Sequence, residues 1–475
     1  MSETSYVMPD APVTQARRVP TMNTSRGAQR VPQRRPAPAP KPWAVDLLAA
    51  AAGLGLGGVM ATVISGESRA TLAAPGGLLS AGGRFAGFTG TYLIMIMIVL
   101  IARLPWLEQA VGQDRLVRWH RWVSPWAIGL IIAHVVLITL GYAEAASTGV
   151  MREIWVLLTS YRDMLAAFVA FGLLLMASIS SYRAARRRMR YETWWVIHLY
   201  LYLAVALAFA HQIYTGVPFI GHPLVKAWWI VLWLATAGMV IAYRVIQPIY
   251  RSMRHRLRIV AVREEVPGVV SVVCSGRDLE RLAVSGGQFF MWRFLTRELW
   301  WQAHPYSLSA LPRPPYLRVT IKGLGDSSSA VAHLRPGTRV AIEGPYGAFT
   351  HYSRTSDSVL LVGAGVGITP LRALLEDLPV WTDVVVVVRG SSPSDLVHRD
   401  EIAALVRQRG GRLHEVLGSR HKVRLNARTL RRIVPDIAER DVYVCGPEGF
   451  SAEIVEASMR LGAVPDQIHH EAFGF

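Results

Sequence analysis

The chain has 475 residues, 52% of them hydrophobic and only 18% charged, which is too apolar for an ordinary soluble enzyme and long enough for roughly two to four domains. A formal charge of +18 would suit a nucleic-acid ligand, but the basic residues gather beside apolar stretches, as membrane topology requires, and no nucleic-acid partner is expected. Two cysteines, Cys274 and Cys445, make no disulfide framework and suit a reducing compartment for the half that holds them.

Residues 1–42 are rich in Pro, Arg and Ala and poor in large apolar side chains, so they read as a disordered basic arm. Six segments then approach the ~20 apolar residues needed to cross a bilayer: 44–64, 88–104, 119–141, 163–182, 194–214 and 226–246. The first is weakened by Asp46 and frequent glycine, and the second is short. Three connections are arginine-rich, carrying Arg103, Arg115, Arg118 and Arg121, then Arg183, Arg186, Arg187, Arg188 and Arg190, then Arg244, Arg251, Arg254, Arg256 and Arg258. The opposite loops, which read as short, hold only Arg69 and Arg84, Arg152 and Arg162, and Lys226. Both termini are therefore expected in the cytosol of a multi-pass plasma-membrane protein.

Four histidines fall inside these spans, where an ionisable side chain is costly and marks function. His120 and His134 share the third span and His198 and His211 the fifth. A spacing of 14 residues puts His120 and His134 about 21 Å apart on nearly one face, one toward each leaflet. Two such spans, facing each other, pair His120 with His198 and His134 with His211, as two bis-imidazole sites for haem iron. The 13-residue spacing of His198 and His211 fits less well, because it turns the rings about 140° apart on an ideal helix. His222, in an outer loop, is an alternative. Arg84, where the second span begins, suits a haem propionate, an anionic or reducible acceptor, or a plain interfacial position.

From about 256 the pattern becomes short β-rich runs, at Arg258–Val262, Val269–Cys274, Gln288–Trp292, Leu317–Ile321 and Arg339–Glu343, as in a small antiparallel barrel. The barrel carries His304-Pro305-Tyr306-Ser307, then Lys322-Gly-Leu-Gly325-Asp-Ser-Ser328, then Gly344-Pro-Tyr-Gly347. Tyr306 can cover a flavin ring and Ser307 can hydrogen-bond it, while His304, Lys322, Ser328 and backbone N–H groups can meet the phosphates of FAD. From 358, strands at Ser358–Val362, Asp383–Val388, Arg412–Val416 and Asp441–Val444 alternate with helical stretches, as in a doubly wound parallel sheet. Gly363, Gly365 and Gly367, ahead of Thr369 and Pro370, let a backbone loop approach a pyrophosphate at a helix start. Cys445, Gly446 and Pro447 end another strand at the edge where such sheets bind ligands, and Arg389, after the second strand, is placed to meet a 2′-phosphate, favouring NADPH over NADH.

These motifs, in this order, resemble the ferric reductase and NADPH oxidase superfamily in its bacterial type, over roughly residues 44–475. The resemblance implies a ferric-reductase-like transmembrane haem domain over 43–247, an FAD-binding barrel over 254–352 and an NAD(P)-binding domain over 356–475. It implies His120, His134, His198 and His211 as ligands of two b-type haems, and Ser307 and Cys445 as the residues at the flavin and the nicotinamide. It also implies a terminal aromatic that covers the flavin until nicotinamide displaces it: Phe473 in Glu471-Ala-Phe473, with Phe475 as the rival. The expected activity is electron transfer from NAD(P)H, through FAD and the haems, to a small acceptor outside, a ferric chelate or oxygen. An electron-transfer subunit serving a partner protein's redox centre is the alternative, and a transporter with inert histidines is one that haem absorbance would discard.

Overall fold

Each long apolar run forms one helix in the computed structural model, which describes residues 42–472 apart from Arg187, Arg190 and the segment 420–422. The arm, Phe473 and Phe475 lie outside the described residues. Helices α1 (Pro42–Ser65), α2 (Arg69–Ala73), α3 (Gly77–Leu100), α4 (Pro105–Val111), α5 (Gln113–Ala145), α6 (Val150–Ser160), α7 (Met164–Ser181), α8 (Arg183–Arg186), α9 (Tyr191–Thr215), α10 (Pro223–Val240) and α11 (Gln247–His255) build the first half. Among the described residues six stretches of helix are long and apolar enough to cross a membrane, the last running unbroken from Pro223 to His255. Within that rod, Pro248 has no N–H to offer the carbonyl of Arg244, and the chain widens into a π-helical turn over Ile241–Ile246.

The second span corrects its expectation: it starts at Gly77 rather than 88. Its first turns carry glycines and Arg84, which lower hydropathy, but they are helical because they pack against α5. A Cβ at Gly83 would lie 2.7 Å from Ile138, and one at Gly90 3.0 Å from Ile131. Only glycine lets the two backbones approach this closely. The connections expected to be short loops likewise contain helices α2 and α6. Helix α6 buries Glu153 and Leu157 on one face and exposes Met151 and Trp155 on the other.

The second half opens with two three-stranded antiparallel sheets, β1 (Arg258–Val266), β2 (Val269–Ser275) and β5 (Tyr316–Lys322) in one, β3 (Phe289–Phe294), β4 (His304–Ser307) and β6 (Val340–Tyr346) in the other. Their inner faces share a core that includes Val272, Phe290, Trp292, Val319 and Ile342. A short helix, α12 (Asp326–Ala330), follows β5. The rest alternates β7 (Ser358–Ala364), α13 (Ile368–Asp377), β8 (Asp383–Gly390), α14 (Arg399–Gln408), β9 (Arg412–Leu417), α15 (Ala427–Ile433), β10 (Asp441–Gly446), α16 (Glu448–Arg460) and β11 (Ile468–Ala472). These strands form a parallel sheet of order β11-β10-β7-β8-β9. The tail strand β11 and the motif strand β4 are additions to the strands legible in sequence. Barrel and sheet share a core, in which Val269 and Phe349 join residues of β7, β8 and β10. An ionic belt adds to it: Arg318 forks onto Glu401 at 2.7 and 2.8 Å, and Arg313 meets Glu376 at 2.6 Å.

Candidate functional site

The four membrane histidines meet in the expected pairs. Helix α5 packs on α3 and α9 on α7, and the imidazoles face each other across the space between α5 and α9. The ring centroids of His120 and His198 are 6.4 Å apart, and those of His134 and His211 6.5 Å. Metal–imidazole bonds of about 2 Å on both sides, plus the ring radii, require a similar spacing, so each pair fits one six-coordinate iron. Among the described residues no three His, Cys, Asp or Glu side chains converge, so each site offers two imidazoles, the protein ligand set that would suit haem. Every Nδ1 has a partner: the Met97 carbonyl for His120 (3.3 Å), the Gly83 carbonyl for His134 (2.8 Å), the Ser181 hydroxyl for His198 (3.4 Å) and the Thr215 hydroxyl for His211 (3.0 Å). Each Nε2 is thereby left available as a metal ligand. Helix α9 stays regular through both of its histidines, so side-chain reach, rather than a break, absorbs the 13-residue spacing.

Sequence reasoning missed this supporting shell. Thr215, one turn after His211, could have been found from its spacing, but Ser181 and the two carbonyls come from other helices and leave no local signal. The His134–His211 pair opens into a cavity of about 450 Å³, lined also by Arg84, Tyr142, Leu157 and Tyr161. Arg84 is held there by Glu67 through two bonds of 2.7 and 2.8 Å. His222 is exposed at the start of α10 and does not line this cavity.

In the barrel, Ser307 is buried and pairs with Phe289, which on its other side pairs with Tyr346. Tyr306 is partly buried, burial pushes its phenol up to about 12, and its carbonyl accepts the Trp292 indole N–H at 3.0 Å. Pro305 is exposed, and His304 stacks on Tyr306 with centroids 5.9 Å apart. Burial lowers the His304 pKa, and its Nε2 meets Oε1 of Gln302 at 3.1 Å. Gln302, which the motif search passed over, also accepts a 2.5 Å bond from Ser327 and so ties the His304 strand to the Gly325–Ser328 turn. Ser328 accepts N–H bonds from Leu324 and Gly325, and Lys322 is exposed at the end of β5. His304, Gly325 and Ser328 thus lie in one neighbourhood, with the backbone of the turn shaped by Ser328.

Between β7 and α13, Gly365 takes φ +56° with open space where a Cβ would stand, whereas a Cβ at Gly367 would fall 2.4 Å from the carbonyl of Cys445. One glycine thus permits the loop, and the other brings it against β10. Gly363 packs on Ile368, Thr369 bonds the Val366 carbonyl at 2.8 Å, and Pro370 is buried in the first turn of α13. Cys445 is fully buried beside Gly363, and burial holds its thiol well above the ordinary range, so the thiol stands neutral at this edge of the sheet. Gly446 packs on Phe450, and Pro447 starts α16. Glu471, paired with Cys445, reaches within 3.2 Å of where a Gly347 Cβ would stand, so the tail strand runs to the barrel motif. Phe473 and Phe475, just beyond, lie outside the described residues.

Arg389 departs from its expectation. Its Nη1 bonds the carbonyls of Gly390 and Val416, and its Nη2 those of Gly418 and Val423. These donors brace the β8–β9 edge and are not free for a 2′-phosphate.

Known proteins match in the same order. The family described as "Ferric reductase like transmembrane component" matches residues 86–209, an FAD-binding domain 260–350, and an oxidoreductase NAD-binding domain 361–456. The glycine betaine monooxygenase reductase subunit of Pseudomonas aeruginosa is 29% identical over 202 residues, 38% of this chain and 55% of that protein. An NADPH oxidoreductase of Mycobacterium tuberculosis is 31% identical over 183 residues, 36% of this chain and 48% of that protein. The chain thus spans about half the length of the curated relatives it matches. Among solved structures, the FAD/NAD-binding domain of nitric oxide dioxygenase from Vibrio cholerae covers 47% of this chain and 100% of its own, at 24% identity and a TM-score of 0.39. Flavohemoglobin from Malassezia yamatoensis covers 81% and 98%, at 18% identity and a TM-score of 0.43.

Proposed function

The chain is a ferric-reductase-like transmembrane domain fused to FAD- and NAD-binding domains, an arrangement of the ferric reductase and NADPH oxidase superfamily, and from that premise we propose that it carries electrons from NAD(P)H across the membrane to a small acceptor, a ferric chelate or oxygen. The observation that carries this reading is the two stacked imidazole pairs at 6.4 and 6.5 Å, each with its Nδ1 atoms already engaged. The arginine-rich end of the bundle is the cytosolic one by its charge, in a plasma membrane, so His134 and His211 face the acceptor side.

Bound FAD would turn a two-electron donor into single electrons, and b-type haems would pass these singly. The chain's own residues do the rest. Tyr306 and Ser307 hold and hydrogen-bond the flavin ring, and the Gln302-tethered turn at Gly325–Ser328 presents N–H groups to its phosphates. Gly363, Gly365 and Gly367 admit the nicotinamide dinucleotide at the start of α13. Cys445, Gly446 and Pro447 line the nicotinamide edge, and the role of the aromatic that covers the flavin falls to Phe473, with Phe475 as the rival. The four histidines would hold the two irons, with their rings fixed through Met97, Gly83, Ser181 and Thr215. With Arg389 engaged elsewhere, the donor is NAD(P)H without an assigned 2′-phosphate contact.

The test is an absorbance spectrum of the purified protein before and after anaerobic NADPH or NADH, with haem counted per chain. Two low-spin b-type haems reduced by the nucleotide are expected. His134→Ala and His211→Ala should abolish reduction of the far-side acceptor and spare ferricyanide reduction at the flavin. Flavin bleaching with no haem present would leave a membrane-tethered flavin reductase. Turnover only with a partner protein would make the chain its electron-transfer subunit.

A further inference from the structure

Two irregular turns at the arginine-rich end of the bundle aim their side chains at one carboxylate of the barrel. Arg103, just after α3, takes a left-handed conformation at φ +63°, which an L-residue keeps only where its surroundings enforce it. Arg244 lies in the π-helical turn ahead of Pro248. Arg103 Nε is 3.9 Å and Arg244 Nη1 4.0 Å from Oε1 of Glu343 on β6. The same oxygen accepts the Tyr346 hydroxyl at 2.8 Å, and the Arg103 guanidinium lies over the Tyr346 ring, 4.5 Å from its centroid. The Arg103 and Glu343 side chains are only 13% and 17% exposed, so water and salt screen them little.

The arrangement occupies the midpoint between two sites. On the barrel side, Tyr346 and Ser307 both pair with Phe289, so the clamp is two strand spacings, roughly 9.5 Å, from the flavin motif. On the membrane side, the Met97 carbonyl that meets His120 is six residues of chain before Arg103, roughly 10 Å. The covalent link, α11, packs along β6, with the Ser252 hydroxyl on the Ile342 carbonyl at 3.4 Å. A single helical link leaves the barrel free to swing, and a second contact on a different helix stops it. Helix α4 supplies that second support: it too packs on β6, with Glu108 buried beside Arg103 and Arg244.

We infer that Arg103 and Arg244 clamp Glu343, with Tyr346, to seat the barrel beneath the His120–His198 pair, and that these four are positioning residues for electron delivery into the membrane. The inference rests on the function proposed above. Electron tunnelling falls steeply with distance, and even for bond-making chemistry a 1 Å displacement costs on the order of 10²-fold.

The test compares wild type with Glu343→Gln and Arg103→Gln, in the full chain with haem and flavin quantified. NADPH-driven haem reduction, followed by stopped flow, should slow by more than about tenfold, while NADPH–ferricyanide activity stays at the wild-type level. Amide hydrogen exchange should rise over Val340–Tyr346 and Pro105–Val111 and stay unchanged in the β1–β2–β5 sheet. Arg244→Lys, which keeps the charge, should retain most of the rate. Unchanged haem reduction with unchanged exchange overturns the clamp, and so does an equal fall of both activities with flavin retained. If Glu343→Gln loses flavin, Arg103→Gln on the membrane side decides by the same criteria. If NADPH fails to reduce the wild-type haems, the proposed function falls, while the exchange comparison still judges the clamp.

Discussion

One methyl group is enough to test the far histidine pair. A Cβ at Gly87 would lie 2.5 Å from Nδ1 of His134, inside van der Waals contact, so the ring or the α3 backbone has to shift. Gly87→Ala should break the Nδ1 bond to the Gly83 carbonyl and rotate the ring. Haem content, measured as pyridine haemochrome, should fall from two per chain toward one, with the His120–His198 pair still loaded; two full haems would contradict this packing argument. Arg389 gives the second test at this scale. As a brace on four carbonyls, it should raise the KM for NADPH and NADH together when changed to Gln, whereas a 2′-phosphate contact would raise the NADPH value alone. The contrast shows which residues were legible. Imidazoles in an apolar span have few explanations, so the four membrane histidines stood out. An arginine at a strand end looks the same in sequence whether its donors meet a phosphate or the chain's own backbone, and only the fold distinguishes the two.

Among elements, strands were read well because each is a short apolar run bounded by turns, whereas α3 was truncated. Its first turns owe their helicity to what they touch on α5, and a hydropathy scan scores glycine by its own weak preference. The β5–α14 contact was invisible for the same reason, being formed by residues far apart in sequence. His398 starts α14 and is fully buried there. Its Nε2 meets the Thr320 hydroxyl of β5 at 2.9 Å, Glu265 of β1 and Glu401 of α14 stand 3.5 and 3.9 Å from its Nδ1, and Arg318 and Arg372 lie nearby. Burial first, and then Arg318, push its pKa from the ordinary 6.5 down to about 3. The folded state therefore holds it neutral while the unfolded chain binds a proton below pH 6.5. Its contribution is fully present above 6.5 and is lost as pH falls toward 3, at up to ~1.4 kcal/mol per pH unit. The melting temperature of the soluble half should drop between pH 6.5 and 5, and His398→Gln should flatten that drop. Parallel curves for variant and wild type would mean that other groups control acid stability.

For the whole molecule, the order of membrane bundle, barrel and parallel sheet followed from composition shifts along the chain, but the junction did not, since Arg103 and Glu343 are distant in sequence and ordinary in kind. How the cores divide makes the junction's character testable. The apolar clusters of the second half draw only on residues from Leu257 onward, and one is shared between barrel and sheet through Val269 and Phe349. The clusters of the bundle draw only on residues up to Tyr243. Among the described residues no apolar cluster spans the junction, where Arg103, Arg244, Glu343 and Tyr346 meet instead. Separating the halves should therefore expose charge rather than a large apolar patch, and a unit with its own core folds alone. A fragment of residues 257–475 should be soluble, retain FAD and reduce ferricyanide with NADPH at close to the full-chain rate. Mixed with the membrane half in trans, it should reduce the haems only slowly, because the clamp then acts without the α11 tether and the local concentration that a tether provides is lost. An insoluble or flavin-free fragment would show that the bundle is part of the barrel's fold, and haem reduction in trans at the tethered rate would show that the polar contacts suffice to dock it.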